Sequence, residues 1–169
     1  AHGYPHDTRP SHQKTPIVQA IGKNHLTLLE LVPRKGVFLQ PSEEVYIGEG
    51  KREKIHHIKG RIKYEDLTST AQSELQHIIE KIVDENSKQF IEFFNNAQPL
   101  SMRMHQLELL PGLGKKHMWQ IIEERKIEPF KSFKELKERV KLLPDPKKIV
   151  IKRILKELKG NEKYKIFTN

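Results

Sequence analysis

Cysteine is absent from this chain of 169 residues, and so is any long apolar run. Without cysteine, disulfides, thiolate zinc sites and cysteine nucleophiles are excluded. No apolar stretch approaches the roughly 20 residues of a membrane-spanning helix, so we expect a cytoplasmic protein with no membrane partner. The opening residues AHGYPHDTRP also lack the apolar core of a secretory signal.

Catalytic signatures are equally scarce. The sequence has no Gly-rich phosphate loop ending in Gly-Lys-Ser, no motif that pairs a nucleophile with a base, and no carboxylate cluster for two metals. Adjacent His56 and His57 should face opposite sides of a strand, which argues against a metal site there. We therefore expect no enzyme, no cofactor and no small-molecule substrate.

Acidic residues are in deficit only in the last part of the chain. Residues 1–100 balance 13 Lys and Arg against 13 Asp and Glu, whereas residues 101–169 hold 18 against 9. The whole net charge of +9 therefore lies in the C-terminal region. Such an excess favours a polyanionic partner such as nucleic acid, and a lysine-rich solvated surface is the alternative.

The residue pattern divides the chain into three parts. Short apolar runs separated by Gly and Pro predict strands within 15–22, 26–32, 37–39 and 44–48, and hence a small β-barrel domain over residues 1–67. Residues 68–97 change to helical spacing, which predicts one or two connecting helices. A helical region follows over residues 98–169, and its first residues, Gln98, Pro99 and Leu100, form the joint with the connecting helices.

The stretch KREKIHHIKGRIK, residues 51–63, is the basic segment of the predicted barrel. Its cations are interleaved with isoleucines and opposed by Glu53 alone. This pattern is typical of a strand or loop that follows a phosphate backbone, and a strand edge protected against aggregation is the alternative. The candidate phosphate contacts are Lys51, Arg52, Lys54, Lys59, Arg61 and Lys63.

The stretch LELLPGLGKKHMWQII, residues 107–122, has a helical spacing that is cut by Pro111 and restarts at once. Gly112 and Gly114 permit a sharp turn and let a phosphate approach the unpartnered amides of the next helix, while Leu113 should plug the core. The candidate binding residues are Gly112, Leu113, Gly114, Lys115 and Lys116.

This pattern of hydrophobic, Pro, Gly, hydrophobic and Gly before a helix resembles the helix-hairpin-helix motif. The resemblance implies binding of the sugar-phosphate backbone without reading of base sequence. It also implies a monovalent cation held by main-chain carbonyls, and no other metal. The matching carbonyls are those of Glu108, Leu110 and Leu113.

A second, degenerate copy follows 33 residues later, in VKLLPDPKKIVIKRIL, residues 140–155. Asp145 and Lys147 replace the two glycines, so close approach of a phosphate is in doubt in this copy. Asp145 should instead cap a helix that begins at Pro146. Lys147 and Lys148 remain candidate phosphate contacts.

Other local signals concern helix ends and one aromatic residue. Ser132 and Glu135 predict a capping box, and Gly160 should close the last helix. Trp119 could stack on a base, but its place on a helix that also bears Met118, Ile121 and Ile122 makes a core position the favoured prediction.

The fragments AIG, LTLLELVP, EEVYIGEG, RIKYEDLT, NSKQFIEFFNNAQPL and LPDPKKIVIKRILKEL resemble, over nearly the whole chain, the archaeal family catalogued as domain of unknown function 655. The resemblance implies an N-terminal barrel of the oligonucleotide-binding type, a C-terminal helix-hairpin-helix part, and RNA or nucleotide binding. It implies no established activity. It also implies an apolar strand before the position of His2, so we expect the first strand of the barrel to be missing from the sequence given.

The sequence thus predicts an α+β protein, in which a small β-barrel of oligonucleotide-binding type precedes an all-helical tandem helix-hairpin-helix domain. The expected function is non-catalytic binding of nucleic acid, RNA in preference to DNA, through the hairpin and a basic barrel face. A DNA repair glycosylase or nuclease is one alternative, although residues 129–135 hold no Asp where a glycosylase would need one. A helical adaptor for an unidentified protein is the other.

Overall fold

The computed structural model describes residues 7–169, which form two compact units. The first contains the described residues up to Leu75, with Leu158–Gly160 and Thr168–Asn169. The second contains Gln76–Glu157 and Asn161–Phe167. The strand expected before His2 lies outside the described residues. None of the helices in the described part combines the length and apolar character needed to cross a bilayer.

An antiparallel three-stranded sheet forms the first unit's framework. Its strands β1 (Val18–Ile21), β2 (Leu28–Pro33) and β3 (Ile55–Arg61) are arranged in that order. Leu31 of the central strand pairs with Val18 on one side and Ile58 on the other. β2 is buried over most of its length, which explains why LLELVP is nearly continuous in apolar residues.

The connection between β2 and β3 corrects two predicted strands. Residues 37–39 and 44–48 are irregular, and the segment folds back on itself through short-range bonds. The N–H of Val37 donates to the Arg34 carbonyl at 3.1 Å, and Gly36 adopts φ +78°. These turns leave too short a run for a ladder, so the described sheet stays open and the predicted closed barrel is not formed.

The helical stretch after the sheet consists of two helices, α1 (Ser69–Glu85) and α2 (Ser87–Asn96). They are separated at Asn86, whose φ and ψ of −116° and 29° interrupt the helical backbone. Both helices bury the apolar stripe that the spacing predicts. The buried residues of α1 and α2 that lie in the second unit are Ile79, Ile82, Val83, Phe90, Ile91 and Phe94.

The predicted all-helical region contains a small sheet as well, so that prediction is wrong. Strands β4 (Pro99–Ser101) and β5 (Met104–His105) form a two-stranded hairpin. Gln98 and Gln106 close it, because the Gln106 N–H donates to the Gln98 carbonyl at 3.0 Å and the Gln98 N–H donates to Gln106 Oε1 at 2.8 Å.

Beyond this hairpin, the described C-terminal region contains three α-helices and one 3₁₀ turn. They are the 3₁₀ turn Gln106–Leu109, then α3 (Lys115–Ile127), α4 (Phe133–Arg139) and α5 (Pro146–Leu158). Ser132 Oγ accepts from the Glu135 N–H at 3.1 Å, which confirms one half of the predicted capping box. The Glu135 carboxylate accepts from the Lys131 N–H at 3.0 Å instead of from the Ser132 N–H. Gly160, with φ +86°, follows the end of α5 as predicted. The fold is therefore mixed α+β, as expected.

Candidate nucleic-acid interface

The open hairpin, residues Pro111–Lys116, is an exposed turn on a buried base. Leu110 and Leu113 are buried, as predicted for a plug, and the Leu113 N–H donates to the Leu110 carbonyl at 3.2 Å. Gly112 has φ +80°, a conformation that a Cβ would strain. Nothing lies within 4 Å of the position that a Cβ would take on Gly112 or Gly114. The backbone is thus open to a ligand.

Helix α3 begins at this turn without a side-chain cap. The Met118 N–H donates to the Gly114 carbonyl at 3.0 Å, and the amides of Lys115, Lys116 and His117 have no acceptor among residues 7–169. Unpartnered amides at the positive end of a helix dipole attract anions. Lys115 and Lys116 are exposed and make no ion pair within the same residues, so their charge is available at this turn.

The element before the open hairpin is held by His105. The ring Nδ1 of His105 accepts from the Leu107 N–H at 3.1 Å. The backbone N–H of His105 donates to Glu108 Oε2 at 2.7 Å. Burial lowers the pKa of the His105 imidazole, and the charge of Arg125 lowers the pKa further, against the opposite effect of Glu108. The neutral ring that results is the form able to accept the Leu107 N–H.

Arg153 anchors the same element from α5. It is 1% exposed and pairs with Glu157, which is 2% exposed. The guanidinium donates to Glu157 Oε1 at 2.9 Å, Leu109 O at 3.1 Å, Glu162 Oε2 at 3.0 Å and Tyr164 O at 2.5 Å. This buried cation therefore fixes the residue that leads into the open hairpin.

The second copy, which we call the sealed hairpin, spans residues Pro144–Lys148. Asp145 Oδ1 accepts from the Lys147 N–H at 3.1 Å and from the Lys148 N–H at 3.4 Å, which confirms the predicted cap. The first amides of α5 are thus bonded to the chain's own carboxylate. Lys147 Nζ lies 2.5 Å from Asp84 Oδ1, whereas Lys148 is exposed and makes no ion pair in the described part of the chain.

Half of the cations in the basic segment are already engaged. Arg52 Nε donates to the Gly48 carbonyl at 2.8 Å. Lys54 pairs with Glu43, and Lys59 Nζ lies 3.9 Å from Glu30 Oε2. The three unpaired cations are exposed and make no ion pair within residues 7–169, and they are Lys51, Arg61 and Lys63.

His56 and His57 do not face opposite sides of β3, so that prediction is wrong. Val32 pairs with His57 and Pro33 with Ile55, which leaves His56 as the extra residue of a β-bulge. The two exposed rings therefore lie side by side, with their Nδ1 atoms 2.8 Å apart. No cluster of three or more metal-binding side chains occurs in the part of the chain that the structure describes.

Trp119 is 58% exposed, so the predicted core position is wrong. Met118 and Ile121 form the buried stripe of α3, and Trp119 lies outside that stripe. Its spacing of three from Lys116 and four from Lys115 places it on the same helix face as both cations. The exposure of Trp119 could have been predicted from the sequence, because the three-residue spacing of Met118 and Ile121 defines a buried face that excludes Trp119.

The fold and the site define a mixed α+β protein with an uncapped, lysine-flanked hairpin in a basic helical region. The chain belongs to the family described as "Protein of unknown function (DUF655)", whose model matches residues 1–169. It is 44% identical to the uncharacterized protein MJ0038 of Methanocaldococcus jannaschii over 158 residues, which cover 94% of this chain and 72% of that protein. The crystal structure of Af1531 from Archaeoglobus fulgidus, also of this family, is similar with a TM-score of 0.89. That match has 47% identity and covers 99% of this chain and 94% of the other.

Proposed function

We propose that this protein binds nucleic acid without catalysis, RNA in preference to DNA, and holds the sugar-phosphate backbone at the open hairpin. The observation that carries the proposal is the contrast between the two hairpins. At the start of α3 the amides lack partners, whereas in the sealed hairpin the carboxylate of Asp145 occupies the corresponding place. A phosphate at the open hairpin would supply the missing acceptor.

In this proposal the open hairpin works as a helix-hairpin-helix motif whose first helix is reduced to a 3₁₀ turn. The buried leucines and the Arg153 anchor hold the turn in place, so binding would cost little conformational entropy. Contacts to phosphate fix position and carry no base sequence. Binding is therefore expected to depend on salt and to be nearly independent of sequence.

The basic segment adds a second, weaker surface to the proposal. Its three unpaired cations are free to approach phosphate, while the engaged ones would first have to leave their partners. Exposed cations of this kind contribute mainly through release of counterions from the nucleic acid. We therefore assign Lys51, Arg61 and Lys63 to the interface, and Lys54 and Lys59 to the fold.

The test compares wild type with Gly114→Ala for binding of a labelled single-stranded RNA, measured by fluorescence anisotropy. Gly114 has φ −85° and open space at its Cβ position, so alanine fits the fold. Its methyl group would nevertheless fill part of the open space through which a phosphate would approach the hairpin backbone. We expect Kd to rise about tenfold, which is a loss of about 1.4 kcal/mol of binding energy.

Gly22→Ala is the matched control, because its Cβ would meet Thr27 only at an ordinary contact distance of 3.7 Å. This variant should bind like wild type. Equal affinity of Gly114→Ala and wild type, with unchanged circular dichroism, would show that the hairpin does not hold the backbone. Turnover of a damaged duplex would favour the repair alternative, and failure of RNA to bind at any salt concentration would favour the adaptor.

A further inference from the structure

A cavity of about 490 Å³ lies beside the open hairpin in the second unit. One wall is the first half of α3 and the other is the turn that follows α4. The volume is within the range of small-molecule sites, roughly 300–1,000 Å³. The lining residues are Lys116, His117, Gln120, Lys141 and Leu142.

The charge of this cavity favours an anion. Lys116 and Lys141 come from different elements, are exposed, and make no ion pair among the described residues. By contrast, the neighbouring cation Arg139 is held by Glu135 at 2.9 Å and by Glu124 at 3.3 Å. Two unpaired ammonium groups around one cavity suit a phosphate group, which can accept several charge-assisted hydrogen bonds.

Two of the lining side chains each have a buried polar atom that lacks a partner. His117 Nδ1 and Gln120 Oε1 are inaccessible to solvent and make no hydrogen bond within residues 7–169. Such atoms are rare, and leaving one unsatisfied is unfavourable. The carbonyl oxygen of Gln120 can only accept, so a ligand that donates an N–H or O–H would satisfy it, while the two lysines suit a phosphate on the same ligand. A nucleotide carries these two functions on separate groups, its phosphate and the N–H donors of its base edge.

Leu142 supplies an apolar wall. It has φ +59° and its side chain is 88% exposed, although leucine rarely adopts this left-handed conformation. An exposed aliphatic side chain held in an unfavourable backbone conformation has no role in the core. Beside the cavity it offers a surface for the flat face of a base.

We propose that this cavity binds one unstacked nucleotide, with its phosphate at Lys116 and Lys141 and its base edge at His117 and Gln120. This inference rests on the proposed function, because the nucleotide would belong to the strand held at the open hairpin. It adds the chemical class of the bound group, since the hairpin alone would recognise only phosphate. A nucleoside monophosphate is the smallest probe that contains all the required groups.

The first experiment titrates the full chain with adenosine 5′-monophosphate and, separately, with inorganic phosphate. Trp119 is the sole tryptophan of the chain and lies on α3 beside the cavity residues, so its fluorescence reports binding there. We expect saturable quenching by the nucleotide at concentrations at least about tenfold below those needed with phosphate. Equal potency of the two probes, or no saturation with the nucleotide, would overturn the proposal.

Variants then assign the individual interactions. Lys141→Gln should weaken nucleotide binding about fivefold, as expected for removal of one exposed charge. Lys137→Gln on α4 removes the same charge from an exposed residue outside the cavity and should have no effect. Gln120→Leu should weaken the nucleotide about tenfold and leave phosphate unchanged. Wild-type affinity in both Lys141→Gln and Gln120→Leu would refute the assignment.

The last arm separates this inference from the proposed function. A single-stranded RNA with one abasic position should bind wild type more weakly than the intact strand, and Gln120→Leu should reduce that difference. If RNA binding depends on Gly114 but is unchanged by the cavity variants, the hairpin function stands and the cavity proposal fails. If the nucleotide binds and no RNA does, the cavity stands as a mononucleotide site and the proposed function fails.

Discussion

Replacing Arg153 by methionine should destabilise the protein strongly, because the change leaves the buried Glu157 carboxylate without its guanidinium partner. Glu157 is 2% exposed, and its other partners include the Ile166 N–H at 2.8 Å and the Phe167 N–H at 3.1 Å. Breaking a buried ion pair by removing one partner typically costs about 3–5 kcal/mol. Since natural domains are stable by only about 5–15 kcal/mol, much of the total would disappear.

The cause of this destabilisation can be isolated with Glu157→Gln, made in both backgrounds. In wild type, glutamine removes the charge that pairs with Arg153, so the variant should be less stable than wild type. In the Arg153→Met background, the same change removes a buried charge that lacks the guanidinium, and it keeps an acceptor for one of the amides of Ile166 and Phe167, which bond to different oxygens of Glu157. There it should restore about 1–3 kcal/mol. We therefore predict that Glu157→Gln lowers the free energy of unfolding in wild type and raises it in the Arg153→Met background.

Urea unfolding followed by circular dichroism and by Trp119 fluorescence gives the four free energies of unfolding at constant denaturant slope. Lys152→Met is the control, because that exposed neighbour on α5 has no ion pair within residues 7–169. It should change the free energy by less than about 0.5 kcal/mol. The reasoning is refuted if Glu157→Gln destabilises both backgrounds by the same amount.

Three further predictions concern pH, salt and cations. The folded-state pKa of His105 is lowered, so the unfolded chain takes up the proton first and stability should fall as pH drops through about 6.5. His105→Asn, which keeps an acceptor for Leu107, should flatten this fall in urea unfolding from about pH 7 to about pH 5. Changing the three unpaired cations of the basic segment to Gln should reduce the slope of log affinity against log salt by about 0.7–0.9 for each phosphate that the variant no longer neutralises. Lys54→Gln should leave this slope unchanged. If the triple variant changes the slope no more than Lys54→Gln does, the basic segment is not part of the interface. Finally, RNA affinity should differ between potassium and a large organic cation at equal ionic strength, and equal affinities would count against an ion at the hairpin carbonyls.

Features set by neighbouring residues could be predicted from the sequence. The left-handed turn at Gly112, the cap at Asp145 and the stop at Gly160 each depend on a few adjacent residues and on the backbone freedom of one of them. The break between α1 and α2 could be anticipated only as an option, because the apolar spacing continues across Asn86.

Features that depend on distant partners could not be predicted. The ion pair of Lys147 with Asp84 joins residues far apart in sequence, so a charge that looks free in the sequence is already engaged. The bulge at His56 depends on the register of β2 against β3, which the alternation of side chains does not specify. The cavity beside α3 exists only because folding brings Lys141 opposite Lys116.

The cap at Asp145 also limits which features of a nucleic acid the proposed interface can recognise. A protein with two open hairpins would hold two phosphates at a fixed separation. It would therefore select ligands whose phosphates have that spacing, such as a regular double helix. Here one of the two positions carries its own negative charge, so under the proposed function a single phosphate would be held and no separation between two phosphates would be selected. On the proposed function, the protein should tolerate bends, bulges and single-stranded gaps in its ligand, and duplex geometry should matter little for recognition.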